Sequence, residues 1–393
     1  MHKSIQNKKV LINAASIRTG GSETFLRNIL PLIAERLPEI TFYALIRESR
    51  ICQHAFNAEN VTVIAVPDVS LGSSLKKLLF EHVTIIRYHL KLKTGIHWQM
   101  DELLSPFLSL FRIRTIAVFH STPMVFLKHL TNDGFVNDTY MALMRRLTAM
   151  LATVPVCVSN HARAELNGLY PCIRNRIQVI YHGVNHDLYS PGNPDTELLN
   201  NYGLDKKYIL SISNRFVWKN YYRLVQSFQM IRDEKNLTDI DLVLIGEEKN
   251  ASEEQRIREL IDKYSLAGSV KIIPFIDQSL LHHFYKGAWV YVFSSMEETF
   301  GLTVLEALAC GIPVACANWG VIPEVAGTAA AYFDPLDTGD MRDVIADLCI
   351  NEKKRKKLID TGLQQSSRFN WESTANGYTK IVRKLIAENR ANT

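Results

Sequence analysis

Two series of short, strand-like apolar runs constrain the fold of this chain more than any other feature. In the first half, runs rich in β-branched and aromatic residues are mostly separated by stretches in which apolar residues recur at helical spacing. These runs are residues 10–13, 41–46, 61–66, 115–119 and 154–158. Strands that alternate with helices predict a parallel sheet covered by helices on both faces.

A second series follows the Pro- and Gly-containing segment 189–194, which has the composition of a linker. Its runs are residues 208–212, 241–245, 270–273, 289–293 and 313–316. A chain of 393 residues, 47% of them hydrophobic, holds more apolar material than one core usually contains. We therefore predict an α/β protein with two doubly wound parallel-sheet (Rossmann-like) domains that face a cleft, over residues 1–187 and 188–370.

The basic charge belongs to the first half. Residues 1–187 carry 21 Lys and Arg against 13 Asp and Glu, whereas residues 188–393 carry 24 against 27. Much of the excess lies in residues 75–93, where one predicted helical face is apolar and basic side chains occupy much of the rest. The apolar face contains Leu75, Leu78, Leu79, Val83, Ile86 and Leu90, and the basic residues are Lys76, Lys77, Arg87, Lys91 and Lys93.

Such a segment suits an anionic membrane surface or an acidic acceptor, and it equally suits an ordinary surface helix packed on its own sheet. We expect no nucleic-acid partner, because no aromatic-interleaved basic groove accompanies the charge. The six cysteines form no C-x-x-C motif and are expected to be reduced and mostly buried. Neither a signal peptide nor 18 consecutive apolar residues occurs, which predicts a cytoplasmic protein without membrane spans.

The nine residues from Glu298 to Glu306 place two carboxylates around a Gly-containing turn between a strand-like run and a helical pattern. Ligands of open α/β sheets bind at the carboxyl ends of strands, and a following helix offers unpaired N–H groups. If that helix begins near Leu302, the Glu306 side chain leans back toward the ligand, and Gly301 permits close backbone approach. The pattern predicts a sugar-sized site. The alternative is a helix capping box formed by Thr303 and Glu306.

With these features the chain resembles the retaining GT-B glycosyltransferases of family 4, and bacterial polysaccharide mannosyltransferases in particular. The resemblance is strongest from Val270 to Tyr332 and includes the motif of Glu, seven residues, Glu. It extends to shorter signatures at residues 20–21, 115–121, 158–161, 179–185, 211–220 and 369–375. It departs from the family pattern at Asn214, where glycine is common, and at Ser121, where an acidic residue is common.

The resemblance implies roles for residues of the second domain. Arg215 and Lys219 would stabilise the charge on the donor diphosphate, as a leaving anion requires. Glu306 would bind the ribose hydroxyls and Glu298 a hydroxyl of the donor sugar. The backbone of Phe300, Gly301 and Leu302 would seat the sugar and the phosphate.

In the first domain, the resemblance implies that Gly20 and Gly21 bring backbone N–H groups near the diphosphate and that His120 contacts the transferred sugar. It also implies that residues 371–393 form a helix crossing back to the first domain. The D-x-D motif at Asp239 and Asp241 precedes a predicted strand, at the end of the sheet away from the cleft. We therefore expect no metal and no other cofactor.

These implications together predict a retaining, metal-independent hexosyltransferase, with mannose from GDP-mannose as the favoured donor. The expected acceptor is a growing cell-surface glycan or a lipid-linked oligosaccharide, at the inner face of the cytoplasmic membrane. Residues near Gly246, Glu247 and Phe275 do not separate guanine from uracil. Two alternatives stay open: a sugar-nucleotide epimerase or hydrolase of the same architecture, and a non-catalytic nucleotide-sugar-binding subunit.

Overall fold

The computed structural model describes residues 8–15, 17, 20–49, 58–68, 74–120, 135–235 and 237–391. They divide into two compact units. Unit 1 takes the described residues up to His182 together with those from Trp371 onward, and unit 2 is Gly183–Asn370. The division between residues 182 and 183 precedes the predicted boundary at 187/188, and it groups the predicted crossing helix with unit 1.

Unit 1 contains a seven-stranded sheet in which every paired strand is parallel. Its strands are β1 (Lys9–Asn13), β2 (Thr41–Arg47), β3 (Val61–Val66), β4 (Ile96–Gln99), β5 (Arg114–Phe119), β6 (Val154–Cys157) and β7 (Gln178–Val179). The strand order is β3-β2-β1-β4-β5-β6-β7. Its helices include α1 (Gly21–Arg36), α2 (Ser74–Leu79), α3 (Ile85–Leu92), α4 (Phe135–Leu151) and α5 (Asn160–Leu169).

Unit 2 contains a six-stranded parallel sheet with the order β10-β9-β8-β11-β12-β13. The strands are β8 (Lys207–Ile212), β9 (Ile240–Ile245), β10 (Val270–Ile273), β11 (Val290–Phe293), β12 (Val314–Ala317) and β13 (Ala330–Phe333). The helices are α6 (Thr196–Asn201), α7 (Tyr221–Glu234), α8 (Ala251–Lys263), α9 (Leu281–Gly287), α10 (Leu302–Ala309), α11 (Ile322–Ala326), α12 (Thr338–Ile350) and α13 (Glu352–Ser366). The two-sheet α/β fold class is therefore as predicted.

The last helix, α14 (Trp371–Ala391), belongs to unit 1 and packs on α1. Phe25 of α1 meets the rings of Trp371 and Tyr378, with centroids 6.3 and 5.4 Å apart. The ion pair between Arg114 and Glu388, 2.8 Å apart, ties the far end of the helix to β5.

Each sheet reverses its strand order once. In unit 1 the chain builds β1, β2 and β3 outward and then returns to place β4 on the other side of β1. In unit 2 the same reversal places β11 beside β8. Open α/β sheets bind ligands in the crevice at such a switch point, outside the carboxyl ends of the two strands. Candidate ligand sites are therefore the loops after β1 and β4 in unit 1 and the loops after β8 and β11 in unit 2.

The predicted helix over residues 75–93 is interrupted. A π-helical turn at Phe80–Thr84 separates α2 from α3, with the Ile85 N–H bonded to the Phe80 carbonyl. The extra residue in this turn shifts the buried face to Phe80, Glu81, Ile85 and His89.

The apolar stripe of residues 75–93 is largely exposed as a result: Leu78 by 36%, Leu79 by 49%, Val83 by 41% and Leu90 by 60%. The segment still packs on the core of unit 1 through Phe80, Ile85 and Ile86, as an ordinary surface helix would, whereas these four residues face outward.

No helix in the described parts of the chain is both long and apolar enough to span a bilayer. Four of the five described cysteines are buried and unpaired, namely Cys157, Cys310, Cys316 and Cys349, whereas Cys172 is exposed. Cys52 lies outside the described residues.

Candidate functional site

Two loops meet at the switch point of unit 2, one after β8 and one after β11. The Ser294 hydroxyl donates to the Lys219 carbonyl at 2.7 Å, and the Met296 N–H donates to the Trp218 carbonyl at 2.8 Å. The Lys219 ammonium forms an ion pair with the Glu298 carboxylate. The sequence therefore placed a cation and a carboxylate on separate loops, and the fold brings them into contact.

Arg215 lies on the β8 loop, but its side chain points into unit 2. The residue is only 2% exposed, and its guanidinium donates to the Glu254 carboxylate and to the Gly246 carbonyl. Its backbone N–H donates to the Glu247 carbonyl at 2.8 Å. Arg215 thus joins the ends of β8 and β9, while Lys219 is the partly exposed cation of the predicted pair.

The helix α10 begins as the sequence predicts, at Leu302. Gly301 precedes it with φ of +91°, and a Cβ atom there would lie 2.8 Å from Ile322 Cδ1, so both conformation and space require glycine. Phe300 is buried with its ring against Phe369, the centroids 5.9 Å apart.

Glu306 is not part of a capping box. Its carboxylate accepts the Tyr285 hydroxyl at 2.8 Å, and no side chain caps α10, whose N-cap is Gly301. Burial raises the pKa of Glu306 to about 7, although the hydrogen bond from Tyr285 opposes the shift. This carboxylate therefore changes charge near neutral pH.

In unit 1, Gly20 has φ of +88° and Gly21 starts α1, so the helix begins at two exposed glycines. His120 follows β5, with its ring 5.3 Å from Phe25 of α1 and stacked on His182 at 5.3 Å. Burial lowers the pKa of His120 to about 4, although the charge of Asp101 opposes this. The imidazole is neutral near pH 7. Ser121 lies outside the described residues.

The D-x-D motif lies where the sequence predicts, at the amino end of β9. Asp241 is 3% exposed, and its carboxylate lies 3.5 Å from the Lys271 ammonium. The buried carboxylate is therefore paired with a cation of the protein. Within the described ranges, no three or more His, Cys, Asp or Glu side chains group as a metal site would require.

Comparison with protein families matches both halves of the chain. Residues 19–188 match the model described as Glycosyltransferase Family 4, and residues 197–365 match that of Glycosyl transferases group 1. The chain belongs to the family 4 type of GT-B glycosyltransferases.

Relatives of this chain include the O-antigen chain mannosyltransferase B of Escherichia coli, 29% identical over 58% of this chain and 60% of that protein. The D-inositol 3-phosphate glycosyltransferase of Thermobifida fusca is 26% identical over 64% of this chain and 58% of its own length. The chain spans about six tenths of these curated relatives. Sucrose-phosphate synthase from Thermosynechococcus elongatus shares the fold, with a TM-score of 0.79 at 19% identity, over 97% of this chain and 100% of that chain.

The sequence patterns did not indicate a buried polar cluster at the switch point of unit 1. It contains Asn13 at the end of β1, Glu81 in the π turn, His97 and Gln99 in β4, and Asp101 just after β4. Asn13, Glu81, His97 and Gln99 are each at most 1% exposed. The available signal was the polar content of an otherwise apolar segment, Ile96 to Met100, followed by an aspartate.

Proposed function

We propose that this chain is a retaining, metal-independent transferase that moves a hexose from a nucleotide-diphosphate sugar to a growing glycan or lipid-linked oligosaccharide. The observation that carries the proposal is the switch point of unit 2. There a partly exposed Lys219, its partner Glu298 and the glycine-started helix α10 adjoin one another. Cation, carboxylate and helix N–H groups are the three kinds of group that a sugar diphosphate requires.

In this proposal the donor diphosphate replaces Glu298 as the partner of Lys219. The Lys219 ammonium stays paired during this exchange, because one anion takes the place of another beside it. Glu298, once released, accepts a hydroxyl of the donor sugar. Glu306 accepts the ribose hydroxyls, and Arg215 keeps the β8 and β9 loops in register through Glu254 and Gly246.

The bond between the anomeric carbon and the diphosphate oxygen breaks, and a bond forms to the acceptor oxygen on the same face of the sugar. The acceptor proton passes to the departing phosphate oxygen, so the products are a nucleoside diphosphate and an extended glycan. The neutral His120 hydrogen-bonds the transferred sugar and does not repel the positive charge that develops on it.

Mannose from GDP-mannose is the donor we propose, on the strength of the similarity to the O-antigen chain mannosyltransferase B of Escherichia coli. The test is a panel of nucleotide sugars, each incubated with octyl α-D-mannopyranoside in the presence of EDTA. We expect an α-linked disaccharide from GDP-mannose at an unchanged rate with EDTA. Strong inhibition that manganese reverses would overturn metal independence, and a β-linked product would overturn retention.

The same assay separates the alternatives. A hydrolase releases free hexose at a rate that the acceptor does not alter, and an epimerase returns a changed nucleotide sugar. A non-catalytic subunit binds GDP without turning over any donor. Transfer that depends on the acceptor excludes all three.

We further propose that a basic apolar face of unit 1 docks on an anionic bilayer at the inner side of the cytoplasmic membrane. The face consists of the exposed residues Leu78, Leu79, Val83, Arg87, Leu90, Lys91, Lys93, Phe107, Leu110 and Phe111. Leu110 is 75% exposed, in a 3₁₀ turn next to the π turn, where the Phe107 ring lies 6.0 Å from His82. Apolar side chains beside cations suit a lipid surface, where each cation contributes about 1 kcal/mol.

Vesicle co-sedimentation tests the docking. Replacing Leu79 and Leu90 with Ser, and Arg87 and Lys91 with Gln, should release the protein from vesicles containing phosphatidylglycerol. The matched control replaces Lys353 and Lys357, exposed basic residues of α13, with Gln and should leave binding intact. Equal partitioning of both variants would contradict the docking.

A further inference from the structure

We propose that Asp101 binds a hydroxyl group of the polyhydroxylated acceptor, and that a buried chain of hydrogen bonds from Thr94 through His89, His97 and Gln99 fixes its carboxylate. The inference rests on the proposed function, since it assigns part of the acceptor site of the same transferase. It concerns unit 1 alone.

The hydrogen bonds of this chain all point in one direction. Gln99 Nε2 donates to Asp101 Oδ1 at 2.5 Å, so Gln99 Oε1 is an acceptor, and it lies 2.7 Å from His97 Nε2. That nitrogen must then carry the proton, which leaves His97 Nδ1 to accept from His89 Nε2 at 2.9 Å. His89 Nδ1 in turn accepts the Thr94 hydroxyl at 2.5 Å. Four successive donors are thus aligned toward Asp101.

Both imidazoles of the chain are neutral. Burial lowers the pKa of His97 to about 4 and lowers that of His89 well below its usual value. Thr94, His89, His97 and Gln99 are each at most 3% exposed. The chain therefore brings no net charge to Asp101, and its N–H and O–H groups donate successively in the direction of the carboxylate.

A second branch fixes Gln99 from the side of β1. Asn13 Nδ2 donates to Gln99 Oε1 at 3.1 Å and to Glu81 Oε2 at 2.9 Å. Asn13 Oδ1 accepts the Ala15 N–H at 3.3 Å, which fixes the orientation of this amide. The π turn thus places Glu81 where it can hold Asn13, so that β1, β4 and the α2–α3 segment all converge on the same carboxylate.

Only one oxygen of Asp101 is used in these contacts. The Leu103 N–H also donates to Oδ1, at 3.0 Å, so in the described part of the chain both hydrogen bonds reach this atom. The residue is partly exposed, unlike the buried groups behind it. A fixed carboxylate whose second oxygen lies outside these hydrogen bonds accepts an O–H group and repels a phosphate. This favours a sugar hydroxyl over the donor diphosphate.

The position of Asp101 agrees with such a role. It follows β4, which pairs with β1 on one side and with β5 on the other. The loop after β1 leads to Gly20 and Gly21, and β5 leads to His120. The negative charge of Asp101 raises the pKa of His120 against the effect of burial, so the two side chains interact electrostatically within unit 1.

Acceptor kinetics test the proposal. Asp101→Asn retains the shape of the side chain and an oxygen for Gln99, but it can present an N–H group where a hydroxyl needs an acceptor. With GDP-mannose as donor and octyl α-D-mannopyranoside as acceptor, we expect the acceptor KM to rise by about tenfold or more. GDP affinity and hydrolysis of GDP-mannose by water should stay at wild-type values. Asp68→Asn is the matched control, since Asp68 also follows a strand of unit 1 and is bonded to Ser49.

Gln99→Glu tests the buried chain separately. A glutamate still accepts from His97 and Asn13, but it cannot donate to Asp101. We expect the same rise in acceptor KM with unaltered GDP affinity. An acceptor KM within about twofold of that of Asp68→Asn in both variants would overturn the proposal.

Direct binding keeps the inference separate from the proposed function. Saturation-transfer NMR of octyl α-D-mannopyranoside with the full chain requires no turnover. A signal that is lost in Asp101→Asn and kept in Asp68→Asn supports the site even if no donor is transferred. No wild-type signal, or equal signals in both variants, overturns it.

Discussion

At the residue scale, Glu306 is the side chain whose environment differs most from that of a surface carboxylate. It is enclosed by unit 2 and hydrogen-bonded by Tyr285, and its pKa is raised from 4.5 to about 7. The folded state therefore holds this proton more tightly than the unfolded state does. Below about pH 4.5 Glu306 is protonated in both states and does not lower the free energy of unfolding. As the pH rises through about 7, its ionised form lowers that free energy.

Glu306→Gln should remove this dependence. The advantage of the variant over wild type in unfolding free energy should grow by about 3 kcal/mol between about pH 4.5 and about pH 8. The reason is that the fold raises the pKa of Glu306 from 4.5 to about 7. Urea unfolding of both proteins at the two pH values measures the gain. A difference between the proteins that does not change with pH would show that Glu306 ionises normally in the fold.

Gly301 provides a second test at this scale. Gly301→Ala must adopt φ near +91° and place a methyl group 2.8 Å from Ile322 Cδ1, so we expect a loss of about 1–3 kcal/mol. Gly168→Ala is the control, since Gly168 lies within α5 with no atom near an added Cβ. There alanine should stabilise by about 0.5–1 kcal/mol. Equal effects in thermal unfolding of the two variants would contradict this account of the α10 start.

At the element scale, the loops after β8 and β11 act as one unit because Lys219 and Glu298 join them. Lys219→Ala should weaken GDP binding by about tenfold, since it removes the cation from the diphosphate. Glu298→Ala should leave GDP affinity unchanged or tighter, because it removes the competing carboxylate, and should lower the rate of sugar transfer. Calorimetric titration with GDP distinguishes the two, and a comparable loss of affinity in Glu298→Ala would count against the exchange.

Some elements could be predicted from the sequence and others could not, for physical reasons. The β11 strand and the start of α10 were predicted correctly, because a run of apolar residues there ends in a glycine turn that local chemistry requires. The strand β4 was missed because His97 and Gln99 interrupt its apolar pattern, and only the tertiary network satisfies them. The π turn was missed because simple helical periodicity assumes an uninterrupted helix.

The same distinction applies to the candidate site. Spacing placed Glu298 on the loop before α10 and Glu306 little more than one turn into the helix, and there the structure agrees with the sequence. It could not show that Lys219 pairs with Glu298 or that Arg215 turns inward to Glu254, since these contacts join residues distant along the chain. The Asp101 cluster likewise combines three separate segments.

At the scale of the whole molecule, two parallel sheets repeat one plan. Each reverses its strand order once, and in each the polar groups that matter follow the two strands at the reversal. In unit 2 these groups are Lys219 and Glu298, and in unit 1 they are Asn13 and Asp101. The two sheets could be predicted from the sequence, because it contains two strand–helix series of similar length.

A crystal structure of the protein with GDP bound tests the central claim most directly. We expect the diphosphate to lie at the switch point of unit 2, within hydrogen-bonding distance of Lys219 and of the first N–H groups of α10, with Glu298 displaced from the lysine. A nucleotide bound elsewhere, with the Lys219–Glu298 ion pair intact, would contradict it.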